Sequence, residues 1–378
     1  MNLKVNSKEM KAAMSIVAKA IASKSALPIL DCVLMSIGQD GRLVLTGGDQ
    51  EMKLSVSCPV IEVEGFNPIC VNAATLTGAL SNLAPQPITF SVQGNQLTLV
   101  YASGHFNLPT FQAAEYPEVP ENIEAISQFT MPCADFADMM RLCRPYVGND
   151  TLRPVMNGVY LDMRGEHLVA AATDGHRLIR KGMPDVKRHE SHAPAGAIVS
   201  AHASSLLGLL PKDGDVTIRI GSRQTAFFAD GYMLVATSIE GNYPNYNAVI
   251  PKSSTYRAVI NRAEIINALR RVTVMSSNTG LVALRFNTLM GAEGRFAVEV
   301  EDRDFAQSGY EEISAEHNAP NGFTISFKAD FLSALFATHT TDTVVFQFTD
   351  PSRAGVLQDT EGGDPNLLTM LMPMMLQD

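Results

Sequence analysis

The feature that most constrains the fold is a pattern that this 378-residue sequence repeats three times. In each copy a short apolar run leads into a polar residue suited to capping a helix, and an amphipathic stretch follows. The copies lie at residues 3–21, 129–147 and 256–274. In the first copy, Met10 and Met14 recur at helical spacing. Each copy therefore predicts a strand that runs directly into a helix.

A second pattern also occurs three times, at residues 71–83, 199–210 and 327–336. Each segment begins with an apolar residue, continues with a polar cap and predicts a short helix. The runs ITFSVQ, VTIRIG and VVFQFT follow these segments, and each alternates apolar with polar residues. Strict alternation is typical of half-buried antiparallel strands.

The repeat unit is about 125 residues long, and its pattern predicts two helices and about eight strands. A single packed core rarely exceeds about 250–300 residues, whereas a unit of this length can hold its own core. We therefore predict an α+β protein of three similar domains, 1–122, 123–253 and 254–378, each with two helices packed on antiparallel sheets. At this point a tandem duplication without further assembly remains an alternative.

Positive charge is concentrated on the first helix of the repeats, although the whole chain carries −10. Residues 7–24, 134–153 and 261–271 together carry +5, which leaves −15 for the rest. This distribution suits a local surface that faces DNA on a body that repels it, but a solvated helix face would look the same. Aromatic residues make up 7% of the chain and Trp is absent, which favours contacts with duplex phosphates over stacking on single strands.

The sequence lacks the usual signatures of catalysis, cofactor binding and metal binding. We find no P-loop, no dinucleotide-binding glycine motif, no H-E-x-x-H and no G-x-S-x-G. The five cysteines contain no C-x-x-C pair, which predicts neither a disulfide framework nor a zinc site. We therefore expect a protein that is not an enzyme and needs no cofactor or metal. The lack of a long apolar segment and of a secretory signal core predicts a cytoplasmic location.

One short segment, Thr173-Asp174-Gly175-His176-Arg177, allows two interpretations. Asp174 and His176 could belong to a hydrolytic triad whose nucleophile lies elsewhere in the chain. Alternatively, Asp174 accepts backbone hydrogen bonds in a tight turn and Gly175 supplies a positive φ. Asp49 occupies the equivalent place in the first repeat without a His, which favours the turn.

The end of the sequence is apolar and rich in methionine, reading TMLMPMML from Thr369. Such a segment must be buried in the core or form a surface that binds apolar ligands, and methionine is frequent at surfaces that accept many partners. Pro373 within the run favours an edge strand over a central one.

Taken together, these segments resemble the bacterial DNA sliding clamps, the beta subunits of DNA polymerase III. The resemblance covers the whole chain and rests on Leu27-Pro28-Ile29-Leu30, Arg153-Pro154-Val155-Met156-Asn157-Gly158, Thr173-Asp174-Gly175-His176-Arg177-Leu178 and Met372-Pro373-Met374. The last two motifs are specific when they occur together. Two positions depart from the family pattern and make the rim of its peptide site less basic. Met375 stands where the family usually has Arg, and Ala248 stands where some members have Arg.

The resemblance implies a ring of two chains joined head to tail, with helices inside and sheets outside. Such a ring is a polymerase processivity factor that encircles duplex DNA without sequence specificity. The implied partners are duplex DNA, the replicative DNA polymerase, the clamp loader, repair polymerases, other proteins with clamp-binding peptides, and a second copy of the chain.

Three sets of site residues follow from the charge pattern and the resemblance. The partner-peptide groove is expected to be lined by Met156, Thr173, Gly175, His176, Arg177, Leu178, Pro244, Val249, Met370, Leu371, Met372, Pro373 and Met374. The residues expected to contact DNA phosphates are Lys24, Arg141, Arg144, Arg153, Arg270 and Arg271. The dimer interface is expected to include Phe106, Leu108, Val274 and Met275.

Overall fold

The computed structural model describes residues 2–21, 27–118, 123–189, 192–276, 280–287, 294–302 and 305–374. The chain divides into two compact units. The first unit comprises Met1–Arg141, Leu161–Leu168 and Asp185–Glu240. The second unit comprises Leu142–Tyr160, Val169–Pro184 and Gly241–Asp378.

Strands make up the largest share of the described chain. The strands are, in order, β1 (Asn2–Asn6), β2 (Cys32–Ile37), β3 (Leu43–Gly48), β4 (Met52–Cys58), β5 (Val60–Glu64), β6 (Ile69–Asn72), β7 (Pro87–Gln93), β8 (Gln96–Tyr101), β9 (Gly104–Gln112), β10 (Ser127–Pro132), β11 (Gly158–Met163), β12 (His167–Thr173), β13 (Arg177–Lys187), β14 (Ala195–Ser200), β15 (Asp215–Ile220), β16 (Gln224–Ala229), β17 (Tyr232–Thr237), β18 (Tyr256–Asn261), β19 (Leu281–Asn287), β20 (Arg295–Asp302), β21 (Gln307–His317), β22 (Thr324–Lys328), β23 (Thr343–Phe348), β24 (Gly355–Asp359) and β25 (Leu367–Leu371).

The helices are short and interrupt the strands at regular intervals. The α-helices are α1 (Ser7–Val17), α2 (Ala73–Ser81), α3 (Cys133–Cys143), α4 (Ala201–Leu207), α5 (Tyr246–Val249), α6 (Arg262–Val272) and α7 (Ala329–Thr338). Single turns of 3₁₀-helix lie at Pro28–Asp31, Ala113–Glu115, Arg144–Tyr146, Pro154–Met156 and Thr273–Met275. No helix in the described residues is long and apolar enough to cross a membrane.

The strands form two sheets. In the first unit, thirteen strands are ordered β10-β15-β16-β17-β4-β3-β2-β6-β9-β8-β7-β1-β5. The second sheet has twelve strands, and in the second unit its order includes β12-β13-β25-β24-β23-β18-β21-β20-β19-β22. Helices pack on these sheets, as α1 does on β4 and α6 on β21. The predicted α+β class with antiparallel sheets is confirmed.

The strand-to-helix junctions form because a polar residue ends each strand and caps the next helix. Asn6, Asn72 and Asn261 each accept a backbone hydrogen bond from the first turn of the helix that follows. Such a cap replaces the intrahelical partner that the first amides lack. All five cysteines are buried and free.

Candidate functional site

The turn between β12 and β13 is held by its own side chains. The Asp174 carboxylate accepts hydrogen bonds from the amides of His176 and Arg177, each at 2.9 Å. The Thr173 hydroxyl donates to the Arg177 carbonyl oxygen at 2.8 Å. Gly175 has a φ of +91°, which glycine adopts at little cost. The tight-turn interpretation is confirmed, since the Asp174 carboxylate is occupied in holding the turn.

Arg177 anchors this turn to the structure beneath it. Its Nε lies 2.9 Å from the Asp174 carboxylate, and its Nη2 donates to the Pro145 carbonyl oxygen at 2.7 Å. The guanidinium carbon is 4.3 Å from the ring centroid of Phe331 and 5.3 Å from that of Tyr146. Only 14% of the side chain is exposed. Arg177 therefore shapes the site by fixing the turn, and its Nε and Nη2 atoms are already hydrogen-bonded.

Strand β25 lies beside the turn and continues past it. The strand pairs with β13, where Leu371 lies opposite Arg177, and also with β24 on its other side. Beyond the strand, the Met372 amide donates to the His176 carbonyl oxygen at 2.7 Å. The prediction of an edge strand is wrong, because the strand ends at Leu371, before Pro373 can interrupt its hydrogen bonds.

The predicted groove residues all belong to the second unit and lie in two layers. The buried layer contains Thr173, Leu178, Met370 and Leu371. The exposed residues are Gly175, His176, Val249, Met372 and Met374, and the partly buried ones are Met156, Arg177, Pro244 and Pro373. The exposed fractions of Val249, Met372 and Met374 are 55%, 39% and 43%. The buried layer supports the surface, and the other residues supply most of the area that is open to a partner.

Two neighbouring segments adjoin this surface. Arg153 lies against the turn, because a Cβ added to Gly175 would be 3.0 Å from its Nη1 atom. Tyr243, which precedes Pro244, stacks on Tyr160 with 4.7 Å between ring centroids. These contacts hold the segments before β11 and after β17 against the second unit, so both can contribute to one surface.

A buried hydrogen-bonded chain supports β25 from below, and sequence reasoning missed it. The Thr369 hydroxyl lies 3.0 Å from Nε2 of His339, whose Nδ1 lies 3.1 Å from the Asp359 carboxylate. Burial lowers the pKa of His339, and the charge of Asp359 opposes that effect. These residues have the composition of a hydrolytic triad, but their side chains are 1% exposed or less. No substrate can reach these three side chains. Their hydrogen bonds therefore hold β25 in place and have no catalytic role.

The sequence analysis did not identify Phe331 and Tyr146 as part of the site. A single aromatic residue on or after a helix does not indicate that an arginine will stack on it. Phe331 lies on α7, and Tyr146 ends the 3₁₀ turn after α3. Burial raises the pKa of Tyr146, while its hydroxyl pairs with that of Thr338 at 2.7 Å. Both rings thus belong to the rigid support of the turn.

The cations predicted to contact DNA differ in how far they are already paired. Lys24 lies outside the described residues. Arg144 and Arg270 are exposed and form no ion pair within the described ranges. The other three are ion-paired with acidic side chains, Arg141 with Asp138, Arg153 with Asp150 and Arg271 with Glu311.

The predicted dimer residues lie on two different kinds of surface. Phe106 is half-buried and stacks on Tyr101 with centroids 5.2 Å apart, while Leu108 is only 5% exposed. In the second unit, Val274 is 73% exposed and Met275 is 41% exposed. Val274 and Met275 therefore present apolar surface to solvent, whereas Leu108 is already part of the core of the first unit.

Comparison with known proteins gives consistent matches along the whole chain. Family models for the N-terminal, central and C-terminal domains of the DNA polymerase III beta subunit match residues 1–120, 130–245 and 247–375. The beta sliding clamp of Rickettsia felis is 22% identical over 390 aligned positions, which cover 99% of each chain. The clamp of Rickettsia bellii is 26% identical over 354 positions, or 89% of this chain and 90% of that one.

Solved structures share the same fold. A crystal structure of the Pseudomonas aeruginosa sliding clamp bound to griselimycin has a TM-score of 0.90, at 21% identity and full coverage of both chains. The Thermotoga maritima DNA polymerase III beta subunit has a TM-score of 0.88, at 20% identity and full coverage of both chains. With three domain models matched in order, the chain belongs to the DNA polymerase III beta subunit family, the bacterial sliding clamps, which act as polymerase processivity factors and not as enzymes.

Proposed function

We propose that this clamp recruits its partners through the surface formed by the turn 173–178 and the end of β25. The observation that carries the proposal is the hydrogen bond from the Met372 amide to the His176 carbonyl oxygen. This bond holds an exposed methionine next to an anchored polar turn. Flexible methionine side chains beside a rigid backbone suit short peptides that insert a Leu and a second Leu or an aromatic residue.

The partners that this surface would serve are the replicative polymerase, the clamp loader, repair polymerases and other proteins with clamp-binding peptides. One shared groove makes these partners compete, because only one peptide can occupy it at a time. Ala248 is exposed near Val249 and carries no charge, so we expect apolar anchors to contribute more to affinity than acidic flanks.

We also propose that two chains close a head-to-tail ring around duplex DNA in the cytoplasm, with domain boundaries at 1–122, 123–253 and 254–378. Two half-paired strands support such an interface. Residues 104–109 of β9 pair only with β8, and residues 307–314 of β21 pair only with β20, among the described strands. Open strand edges are templates for pairing with another chain, and Phe106, Val274 and Met275 would supply the apolar contacts, while Leu108, only 5% exposed, would contribute little.

Non-specific contact with the phosphates would come from Lys24, Arg141, Arg144, Arg153, Arg270 and Arg271. Arg144 and Arg270 should contribute most, because their charge is not offset by an adjacent acid in the described residues. Retention on DNA would then be topological, with the tethered polymerase kept at a high local concentration.

Fluorescence anisotropy with a labelled clamp-binding peptide from the replicative polymerase tests the groove. A peptide of micromolar affinity has about −8 kcal/mol in total. Loss of one anchor contact worth roughly 2 kcal/mol weakens binding about thirtyfold, which is the result expected for Met372→Ala. Met372→Leu conserves volume and should bind nearly as well as the unaltered protein. Ile61→Ala, which removes a 55% exposed apolar side chain from β5, is the matched control. Unchanged affinity of Met372→Ala would refute the groove.

A further inference from the structure

The first unit contains a hollow built from the same parts of the repeat as the proposed groove. Its volume is about 310 Å³, and it is lined by Leu27 and Leu30, by residues 49–53 and 117–118, by Gln224 of β16, and by Val235 and Thr237 of β17. In the second unit, the groove is formed by the corresponding segments of the next repeat. Tyr243-Pro244 corresponds to Tyr116-Pro117, and the turn after β12 corresponds to the turn after β3. In both cases the last strand of the following repeat lies alongside, β17 beside β4 and β25 beside β13.

The turn in the hollow also shares two hydrogen bonds with the turn in the groove. The Asp49 carboxylate accepts from the amides of Glu51 and Met52 at 2.8 and 2.9 Å. The strand pairing then places Val235 opposite Lys53. The hollow is therefore an ordered feature of the repeat and not an irregularity of packing.

Lys53 is the residue that points to a ligand. Its side chain lines the hollow, is only 8% exposed, and its Nζ has no hydrogen-bond acceptor among the described residues. The Nζ atom lies 4.9 Å from the ring centroid of Tyr116, which offsets part of the lost hydration. Burial lowers the pKa of Lys53, while Asp49 opposes this shift. An ammonium removed from water without an acceptor is costly, so an oxygen supplied from outside would stabilise it.

We propose that this hollow binds the C-terminal carboxylate of a peptide whose last residue is aliphatic. Lys53 would receive the carboxylate, and Leu27, Leu30 and Val235 would contact the aliphatic side chain. A volume of about 310 Å³ has room for a terminal residue, so one residue can place both its carboxylate and its apolar side chain in the hollow. The site is separate from the groove of the second unit, and the proposal does not rest on the function of that groove.

Methyl NMR of the full-length protein with labelled methionines tests the proposal, with N-acetyl-L-leucine as the probe. Met52 lines the hollow and Met372 the groove, so their methyl resonances, assigned with Met52→Leu and Met372→Leu, report the two sites separately. We expect a saturable shift of the Met52 resonance. N-acetyl-L-leucinamide, which lacks the carboxylate, should bind about tenfold more weakly or worse. Lys53→Met, which keeps the packing and removes the charge, should reduce binding of the acid to the level of the amide.

Three results would overturn the proposal. They are the absence of a shift at Met52, equal binding of the acid and the amide, and undiminished binding of the acid to Lys53→Met. If Lys53→Met does not fold, Lys53→Gln replaces that variant. The comparison of acid with amide uses the unaltered protein and is decisive in either case. A response at Met372 alone would assign the probe to the groove and refute the second site.

Discussion

Replacement of Arg177 by methionine should loosen the turn on which the proposed groove depends. Methionine keeps most of the apolar volume between the rings of Tyr146 and Phe331. It removes the ion pair with Asp174 and the hydrogen bond to the Pro145 carbonyl oxygen. The carboxylate of Asp174 would then be left with only its backbone donors.

The magnitude follows from how little water reaches this pair. The side chains of Arg177 and Asp174 are 14% and 15% exposed. Breaking a buried ion pair costs about 3–5 kcal/mol, and an exposed pair is worth about 0–1 kcal/mol. Because both side chains are slightly exposed, we expect Arg177→Met to lower the free energy of unfolding by about 2–3 kcal/mol. For a unit of this size, that corresponds to a decrease in Tm of about 5–10 °C.

Scanning calorimetry of the full-length protein measures this loss, and Arg353→Met is the matched control. Arg353 forms an ion pair with Asp350 at the same three-residue spacing, but its side chain is 72% exposed. The control should leave Tm unchanged within error, while Arg177→Met lowers it and also weakens peptide binding. Equal effects of the two substitutions would contradict the reasoning, because burial would then not determine the strength of these pairs.

Three further predictions concern DNA, assembly and pH. Arg144→Ala and Arg270→Ala should each weaken binding to all duplex sequences and reduce the salt slope by about one unit; a salt titration that leaves the slope unchanged would exclude them as phosphate contacts. Replacing Val274 and Met275 together by aspartate should give folded monomers in analytical ultracentrifugation, and an unchanged dimer affinity would move the interface elsewhere. The pKa of buried His339 is below its usual 6.5, so the unfolded chain binds the extra proton more readily. The stability that this imidazole contributes is complete above about pH 6.5 and is lost as the pH falls towards the pKa of the folded state. Tm should therefore decrease with falling pH in this range, and His339→Asn should make this decrease smaller.

Local pattern was enough to predict the repeated elements. Segment 3–21 became β1 and α1, and segment 327–336 became the end of β22 and most of α7. These predictions succeed because capping residues and apolar spacing act over a few neighbouring positions. The turn at Asp174 was predictable for the same reason, since the hydrogen bonds that form it lie within residues 173–177.

Long-range contacts could not be read from the sequence. The pairing of Leu371 with Arg177 joins residues far apart in the chain and makes β25 a central strand, although Pro373 suggested an edge. The burial of Arg177 depends on Phe331, which a different helix supplies. Periodicity shows which residues are apolar, but it does not show which distant element covers them.

Retention on circular compared with linear DNA tests most directly the claim that this chain works as a ring. The protein would be loaded by its clamp loader onto nicked circular duplex and then washed at salt concentrations that remove it from short linear duplex. If only phosphate contacts held the protein, high salt would screen them and remove the protein from both DNAs. A closed ring would instead stay on the circular DNA and leave only after a restriction enzyme opens it. Loss from circular and linear DNA at the same salt concentration and the same rate would contradict topological retention.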